Sequence, residues 1–191
     1  KGKVYMKNAY DIPESSRVAR GSAMINFITS LGQDEYVTEM LDIDAAGEGT
    51  KYLLMVTKYG YIKKTALEEY KNINKNGLIA IRLKDEDRLV AVLPVKGDEE
   101  IIIGTRRGMA IRLSIDDDEV RPISRAASGV HGIRLKSSDK DGSDDVVGVV
   151  IAADKDIFTI SADGNAKRNA ASAYRIQKRN GQGTINFKKG F

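Results

Sequence analysis

The chain has 191 residues, 41% hydrophobic and 30% charged, with 31 basic against 27 acidic side chains for a net charge of +4. It has no cysteine, which excludes a disulfide framework and any thiolate metal site and fits a reducing cytoplasm. No apolar run approaches the roughly 18 residues of a membrane span, no signal peptide is recognisable, and so small a charge excess means that an argument for polyanion binding rests on where the cations lie.

From the start of the chain, one pattern is copied four times. A turn glycine recurs at Gly2, Gly60, Gly108 and Gly164, and a second glycine closes a basic loop at Gly21, Gly77, Gly129 and Gly181. Shortly after each second glycine stands an apolar triplet: Ile25-Asn26-Phe27, Ile81-Arg82-Leu83, Ile133-Arg134-Leu135 and Ile185-Asn186-Phe187. A period of roughly fifty residues marks one supersecondary unit copied in series, each copy unable to bury its apolar face alone. The copies run approximately over residues 1–43, 44–95, 96–151 and 152–191.

Within a copy the elements read as strands. Leu53–Val56, Ile101–Ile103 and Ile157–Ile160 lead into glycine turns of hairpin type, and the strand after each turn has an apolar second residue, Val4, Ile62, Ala110 or Ala166, expected to face the core. A later apolar run, Tyr36-Val37, Leu89–Leu93 or Val146–Ile151, supplies a further strand. Four strands per copy at this period predict an all-β, propeller-like pinwheel of four-stranded blades forming one domain, with about four blades present and few helices. Lys1-Gly2 sits at a hairpin tip and Phe191 follows closely on the last triplet, so the ring is expected to be incomplete, with open strand edges.

The cations concentrate in one loop of each copy. The windows 14–21, 70–77, 122–129 and 174–181 hold Arg17, Arg20, Lys71, Lys75, Arg125, Arg175, Lys178 and Arg179 against the single acid Glu14, with Arg121 alongside. Lys63, Lys64, Arg112, Lys167 and Arg168 after the hairpin turns are expected to assist. Equivalent loops of a propeller recur on one side, so these residues predict a positive belt that contacts duplex DNA through phosphates with little sequence preference. Acids gather at Asp85–Asp87, Asp98–Glu100, Asp116–Glu119 and Asp139–Asp145, which predicts a two-sided charge distribution. Tyr70 and Tyr174, at loop starts, are expected to pack on the blades and not to stack on bases.

Catalytic chemistry finds no footing. His131 is the sole histidine, lying between Gly129 and Gly132 at the start of a strand, with no second ligand or proton-relay partner in sight. Asp139–Asp145 resembles a calcium loop only superficially, since its glycine is misplaced and no closing glutamate follows; it reads as a solvated turn. There is no phosphate-binding Gly-x-x-x-x-Gly-Lys-Ser/Thr loop, and no tyrosine follows an arginine. No cofactor is expected.

Gly2–Tyr5, Tyr10–Glu14, Ser16–Gly21, Ile25–Phe27, Gly129–Leu135 and Asp145–Gly148 together resemble the C-terminal domains of bacterial DNA gyrase A proteins, and the resemblance runs the length of the chain. It implies a β-pinwheel, normally of six blades, whose rim wraps DNA so that the parent enzyme, with its gyrase B partner, introduces negative supercoils at the expense of ATP. A bacterial cytoplasmic, nucleoid-associated setting goes with it. The family's basic heptapeptide, Gln-Arg-Arg-Gly-Gly-Lys-Gly, has no true copy here; Arg175–Gly181 is the nearest stretch, and in the family the heptapeptide comes one blade earlier. The related C-terminal domain of topoisomerase IV, a protein-binding propeller and a propeller enzyme with a central site are the alternatives.

Overall fold

The computed structural model describes residues 1–32, 35–43, 48–138 and 142–187. Its strands in chain order are β1 (Lys3–Val4), β2 (Tyr52–Thr57), β3 (Tyr61–Ala66), β4 (Leu78–Ile79), β5 (Leu89–Val95), β6 (Glu100–Thr105), β7 (Met109–Ser114), β8 (Val130–His131), β9 (Ser137–Ser138), β10 (Gly142–Ser143), β11 (Val146–Ile151), β12 (Asp156–Ile160), β13 (Ala166–Ala170) and β14 (Thr184–Ile185). Among the described residues every helical element is a short 3-10 turn. The all-β expectation is met.

Two sheets have four antiparallel strands each, in the orders β5-β2-β3-β8 and β11-β6-β7-β14, while β12 and β13 form a hairpin. The outer strand of each four-stranded sheet comes from the following copy. Val130 and His131 pair with Ile62 and Tyr61, and Thr184 and Ile185 pair with Ala110 and Met109. In the same way β4 lies along β1, with Leu78 opposite Val4. A sheet is therefore not a contiguous piece of sequence.

The sheets stack face to face, and the period of two along each strand divides its side chains between two cores. Leu54 and Val56 of β2 meet Ile101 and Ile103 of β6 and Ile111 and Leu113 of β7 in one cluster. The alternate residues Leu53 and Met55 face the other way, onto Ile81, Tyr70 and the half-buried Val4. Ile102 likewise turns from its neighbours toward Ala171, Tyr174 and Ile157. With both faces covered, these strands are continuous apolar runs, and truncating a fully buried Leu54 or Ile103 would cost about 2–5 kcal/mol.

The turn glycines allow consecutive copies to approach. Gly2, Gly60 and Gly108 have φ of +71°, +81° and +73°, and each carbonyl accepts amides from the next copy: Ala80 N onto Gly2 (2.8 Å), Gly132 N onto Gly60 (2.9 Å) and Asn186 N onto Gly108 (2.7 Å). A Cβ on Gly60 would stand 2.8 Å from the Ile133 carbonyl oxygen. The second glycines are Gly77, Gly129 and Gly183, with φ of +77°, +96° and +73°. Gly181, the expected member, lacks positive φ, and Phe187 takes the place of Ile81 and Ile133 beside the turn glycine. The fourth copy is thus offset by two residues, because its loop is longer and Gly181-Gln182-Gly183 offers two candidate glycines.

Other expectations fail locally. Tyr36-Val37 forms no strand and is exposed, and Met24–Asn26 is a 3-10 turn. Ala166 is exposed, unlike Ile62 and Ala110. Of the supposed solvated turn, Asp139–Asp141 fall outside the described residues, whereas Asp144 and Asp145 are buried. Asp144 accepts Thr105 Oγ1 (2.6 Å) and Arg107 N (2.9 Å), and Asp145 pairs with Arg106 Nε (2.6 Å). Asp87 accepts Tyr59 N (3.0 Å) in the preceding copy's version of this arrangement. A carboxylate at a hairpin tip satisfies amides that the turn leaves unpaired.

Three cations are consumed between the sheets. Lys63 and Lys64 on β3 have no exposed surface. Lys63 Nζ donates to the carbonyls of Ala80 (2.5 Å) and Arg125. Lys64 Nζ donates to Ile115 O (2.6 Å) and Gly97 O (3.2 Å), pairs with Asp117 (2.7 Å) and lies over the Tyr52 ring. Arg112, in the register of Lys64 on β7, bonds Glu100 and donates Nη1 to Ala171 O (2.9 Å) and Tyr174 O (3.3 Å). These bonds offset the cost of burying charge, and no ammonium remains for a phosphate at either lysine. Lys63, Lys64 and Arg112 are therefore withdrawn from the expected belt.

Burial pulls the Lys63 ammonium down from 10.5 to about 8, helped by the Arg125 guanidinium and countered by Glu69. Between those two pH values the unfolded chain holds a proton the folded one has released, so this lysine's cost to stability is full below pH 8 and falls as pH rises. Urea unfolding should show wild type gaining on Lys63→Met by on the order of 2–3 kcal/mol between pH 7.5 and pH 10.5, a constant difference being the contrary result. Gly60→Ala should cost about 2–3 kcal/mol from strained φ plus the clash. Gly164→Ala, with φ of +80° but open space around it, should cost about 1 kcal/mol by the same measurement.

Candidate nucleic-acid interface

The basic loops of the last three copies follow the second hairpin strand, β3, β7 or β13, and each begins at a fixed anchor. In the second copy a 3-10 turn, Leu67–Tyr70, buries Tyr70, whose hydroxyl donates to Ala80 O (3.3 Å). In the fourth, Ala171–Ala173 precedes buried Tyr174, whose hydroxyl donates to Asn186 Oδ1 (2.9 Å). Both tyrosines pack on the blade, as expected. In the third copy Asp116 opens the loop, accepting the amides of Asp118 (3.1 Å) and Glu119 (3.0 Å). Those bonds hold its carboxyl below the ordinary range, with Ser114 and Lys64 contributing.

From its anchor each loop crosses to the preceding copy. Ile123 N donates to Lys64 O (2.9 Å), Thr65 Oγ1 donates to Ile123 O (3.0 Å), and Gln177 N donates to Arg112 O (2.8 Å). Parallel bridges join Lys64 with Pro122 and Arg112 with Ile176. The loops are thereby drawn onto β3 and β7 of their predecessors, and the positive-φ glycine turns each one into its donated strand.

Consecutive loops also meet each other. Glu69, at the start of the second copy's loop, accepts the amide of Arg125 (3.4 Å), and Glu119, at the start of the third copy's loop, accepts the amide of Arg179 (3.0 Å). Three loops, at 70–77, 118–129 and 174–183, therefore lie side by side along one edge in chain order. Lys71, Lys75, Arg121, Arg175, Lys178 and Arg179 are exposed there, and Arg125 is half-buried. Arg17 and Arg20 are exposed too, but their stretch, residues 11–26, has only local hydrogen bonds, such as Ala19 N to Ser16 O (3.1 Å), among the described residues. The structure does not join them to the other three loops.

The charge pattern is less segregated than expected, because Glu69 and Glu119 sit among the basic loops, the latter from the Asp116–Glu119 cluster. Lys167 is half-buried beneath the Phe187 ring, and exposed Arg168 pairs with Asp156 (2.9 Å). Both stand in the register of the buried pair Lys63–Lys64, on the sheet and off the loops. Arg82 and Arg134, absent from the expected belt, belong on the edge. Each is exposed, and their amides donate to Ala127 O (3.2 Å) and Gly181 O (2.8 Å) of the next copy's loop. The repeated Ile-Arg-Leu triplet was the available signal.

A metal or acid–base centre gains no support from the described residues, which contain no group of three or more potential ligands. His131 is exposed and stacks on Tyr61 at 4.3 Å between centroids. The edge can do one thing chemically: offer a file of guanidinium and ammonium groups on rigid backbone to a polyanion.

A family model described as DNA gyrase C-terminal domain, beta-propeller, matches residues 1–43, 51–96, 99–153 and 155–190. The DNA gyrase A protein of Haloquadratum walsbyi is 39% identical over 98% of this chain and 22% of its own length. That of Synechocystis is 44% identical over 73% of this chain and 16% of its own. The chain thus spans about a fifth of the curated relatives it matches. Among solved structures, the C-terminal domain of DNA topoisomerase IV superposes with a TM-score of 0.82 at 26% identity, over 97% of this chain and 55% of that one. The DNA gyrase A C-terminal domain superposes with 0.74 at 27% identity, over 99% and 60%. Since the family model covers nearly the whole chain and gyrase A relatives match along its length, this chain belongs to the family of DNA gyrase A C-terminal domains and carries its β-pinwheel fold.

Proposed function

We propose that this chain is a non-catalytic module that binds duplex DNA by its phosphate backbone along the edge formed by loops 70–77, 118–129 and 174–183, and bends it. The observation that carries the reading is the pair of links Glu69–Arg125 and Glu119–Arg179, which sets basic loops of successive copies side by side. Lys71, Lys75, Arg82, Arg121, Arg125, Arg134, Arg175, Lys178 and Arg179 are the contacting groups, and Arg17 and Arg20 extend the file where DNA reaches the first copy. Phosphate contacts position DNA without reading its sequence, and many are needed to offset the several kcal/mol of bending.

In the parent enzyme this module serves ATP-dependent negative supercoiling with the rest of gyrase A and with gyrase B, in the bacterial cytoplasm at the nucleoid. Strand cleavage and ATP hydrolysis belong to those other parts, and no cofactor is needed here. The higher TM-score to the topoisomerase IV domain favours a second reading, in which the same edge serves a topoisomerase IV. Supercoiling by the parent enzyme distinguishes them: introduction of negative supercoils into relaxed plasmid supports gyrase, and relaxation alone supports topoisomerase IV.

Binding to a random-sequence duplex, followed by fluorescence anisotropy, should weaken steeply with salt and vary little with sequence. Replacing Arg121, Lys178 and Arg179 together by alanine should flatten the log–log salt slope by about three, whereas Lys155→Ala should leave it unchanged. A salt-independent affinity would overturn the reading. Energy transfer between dyes at the two ends of a duplex should rise on binding; an unchanged signal would leave binding without bending.

A further inference from the structure

We infer that Lys63 is a positioning residue for Arg125: its buried ammonium ties the Ala80 end of one copy to the basic loop of the next and sets where the Arg125 guanidinium stands on the edge. This rests on the phosphate-backbone reading of that edge.

Arg125 is held at three points by the preceding copy. Its carbonyl accepts Lys63 Nζ, its amide donates to Glu69 Oε2 (3.4 Å), and its Nη1 donates to Ile79 O (3.4 Å). A guanidinium has five N–H donors, so one bond to Ile79 orients the group and leaves others for a phosphate. The second acceptor of Lys63, Ala80 O, also takes the Tyr70 hydroxyl (3.3 Å), and Arg82 N donates to Ala127 O (3.2 Å). Lys63 thus sits at a junction from which two arginines of adjacent copies, Arg82 and Arg125, project.

The fold does not require an ammonium there. Ile111 occupies the register of Lys63 one copy later, since Met55 faces Lys63 and Ile103 faces Ile111 across their hairpins. That later junction closes without a lysine, with Asn180 N on Gly132 O (2.8 Å), Arg134 N on Gly181 O (2.8 Å) and the Arg179 amide on the Glu119 carboxylate (3.0 Å). A buried isoleucine costs less than a buried ammonium. What Lys63 adds beyond an isoleucine is its grip on the Arg125 carbonyl.

The test is a double-mutant cycle read in the salt slope of duplex binding at pH 7, each variant first shown to be folded by a cooperative urea transition. Arg125→Ala should lower the slope by about one, Lys63→Met by the same amount, and the double variant by no more than either. Arg179→Ala should remove a further slope of about one in every background. Were Lys63 structural only, its replacement would shift the urea midpoint and leave the slope intact. That result, or losses from Lys63→Met and Arg125→Ala that add, overturns the inference. If Lys63→Met does not fold, Lys63→Ile, which brings in the donor-free side chain found at Ile111 one copy later, carries the same cycle with the same expectations. A slope that answers to Arg179→Ala but not to Arg125→Ala overturns this inference alone. A slope indifferent to both overturns the phosphate reading and the inference with it.

Discussion

Every larger feature of this molecule depends on one backbone constraint: a two-residue strand of one copy pairs with the strand that follows the turn glycine of the copy before it. Val130 and His131 lie on Ile62 and Tyr61, and Thr184 and Ile185 lie on Ala110 and Met109. The pairing brings the turn-glycine carbonyl against the next copy's amides, forbids a Cβ at that turn, and packs each sheet face to face with its neighbour. It also pulls the connection preceding each short strand across to the earlier copy. The basic loops share an edge because the strands they feed are shared.

The same residue types serve two opposed purposes, and strand register separates them. On β3 and β7, Lys64 and Arg112 point between sheets and meet the diagonal cross-strand neighbour twelve positions earlier, the Tyr52 ring in one copy and Glu100 in the next; Arg168 meets Asp156 in the same way. Aromatic face or carboxylate, the partner at that diagonal matches a cation. On the loops, most arginines and lysines stay exposed, and the amides of Arg125 and Arg179 are held by an acid of the preceding loop. A buried cation spends its donors on carbonyls and stiffens the frame, whereas an exposed one keeps its donors for an incoming anion.

What could be read from the chain follows from how local its causes are. Hairpins betray themselves by apolar runs ending in glycine, and β2 through β7 and β11 through β13 lie where those runs fall. The edge was legible as four basic windows because the repeat carries it. Burial of a cation was not, since Lys63 and Lys64 look like any basic pair until the next copy's carbonyls are laid over them. Asp87 and Asp144 read as surface acids for the same reason, their partners being turn amides 28 and 37 residues away. The choice between Gly181 and Gly183 needed backbone geometry, as both stand in plausible places and only one has positive φ. Arg82 and Arg134 were hidden inside the triplet that revealed the repeat, where apolar neighbours drew attention away from the charge between them.

Borrowed strands also set a timetable for the ribosome. A sheet whose edge belongs to the next copy stays open on that side while the intervening residues are made: β5-β2-β3 has its own three strands by Val95 but must wait for Val130–His131 to be closed. For that interval β3 presents unpaired amides and carbonyls to whatever strand arrives first. Synthesis from the N-terminus offers the correct neighbour before any later look-alike, so the direction of translation itself helps to keep similarly patterned copies from pairing out of turn.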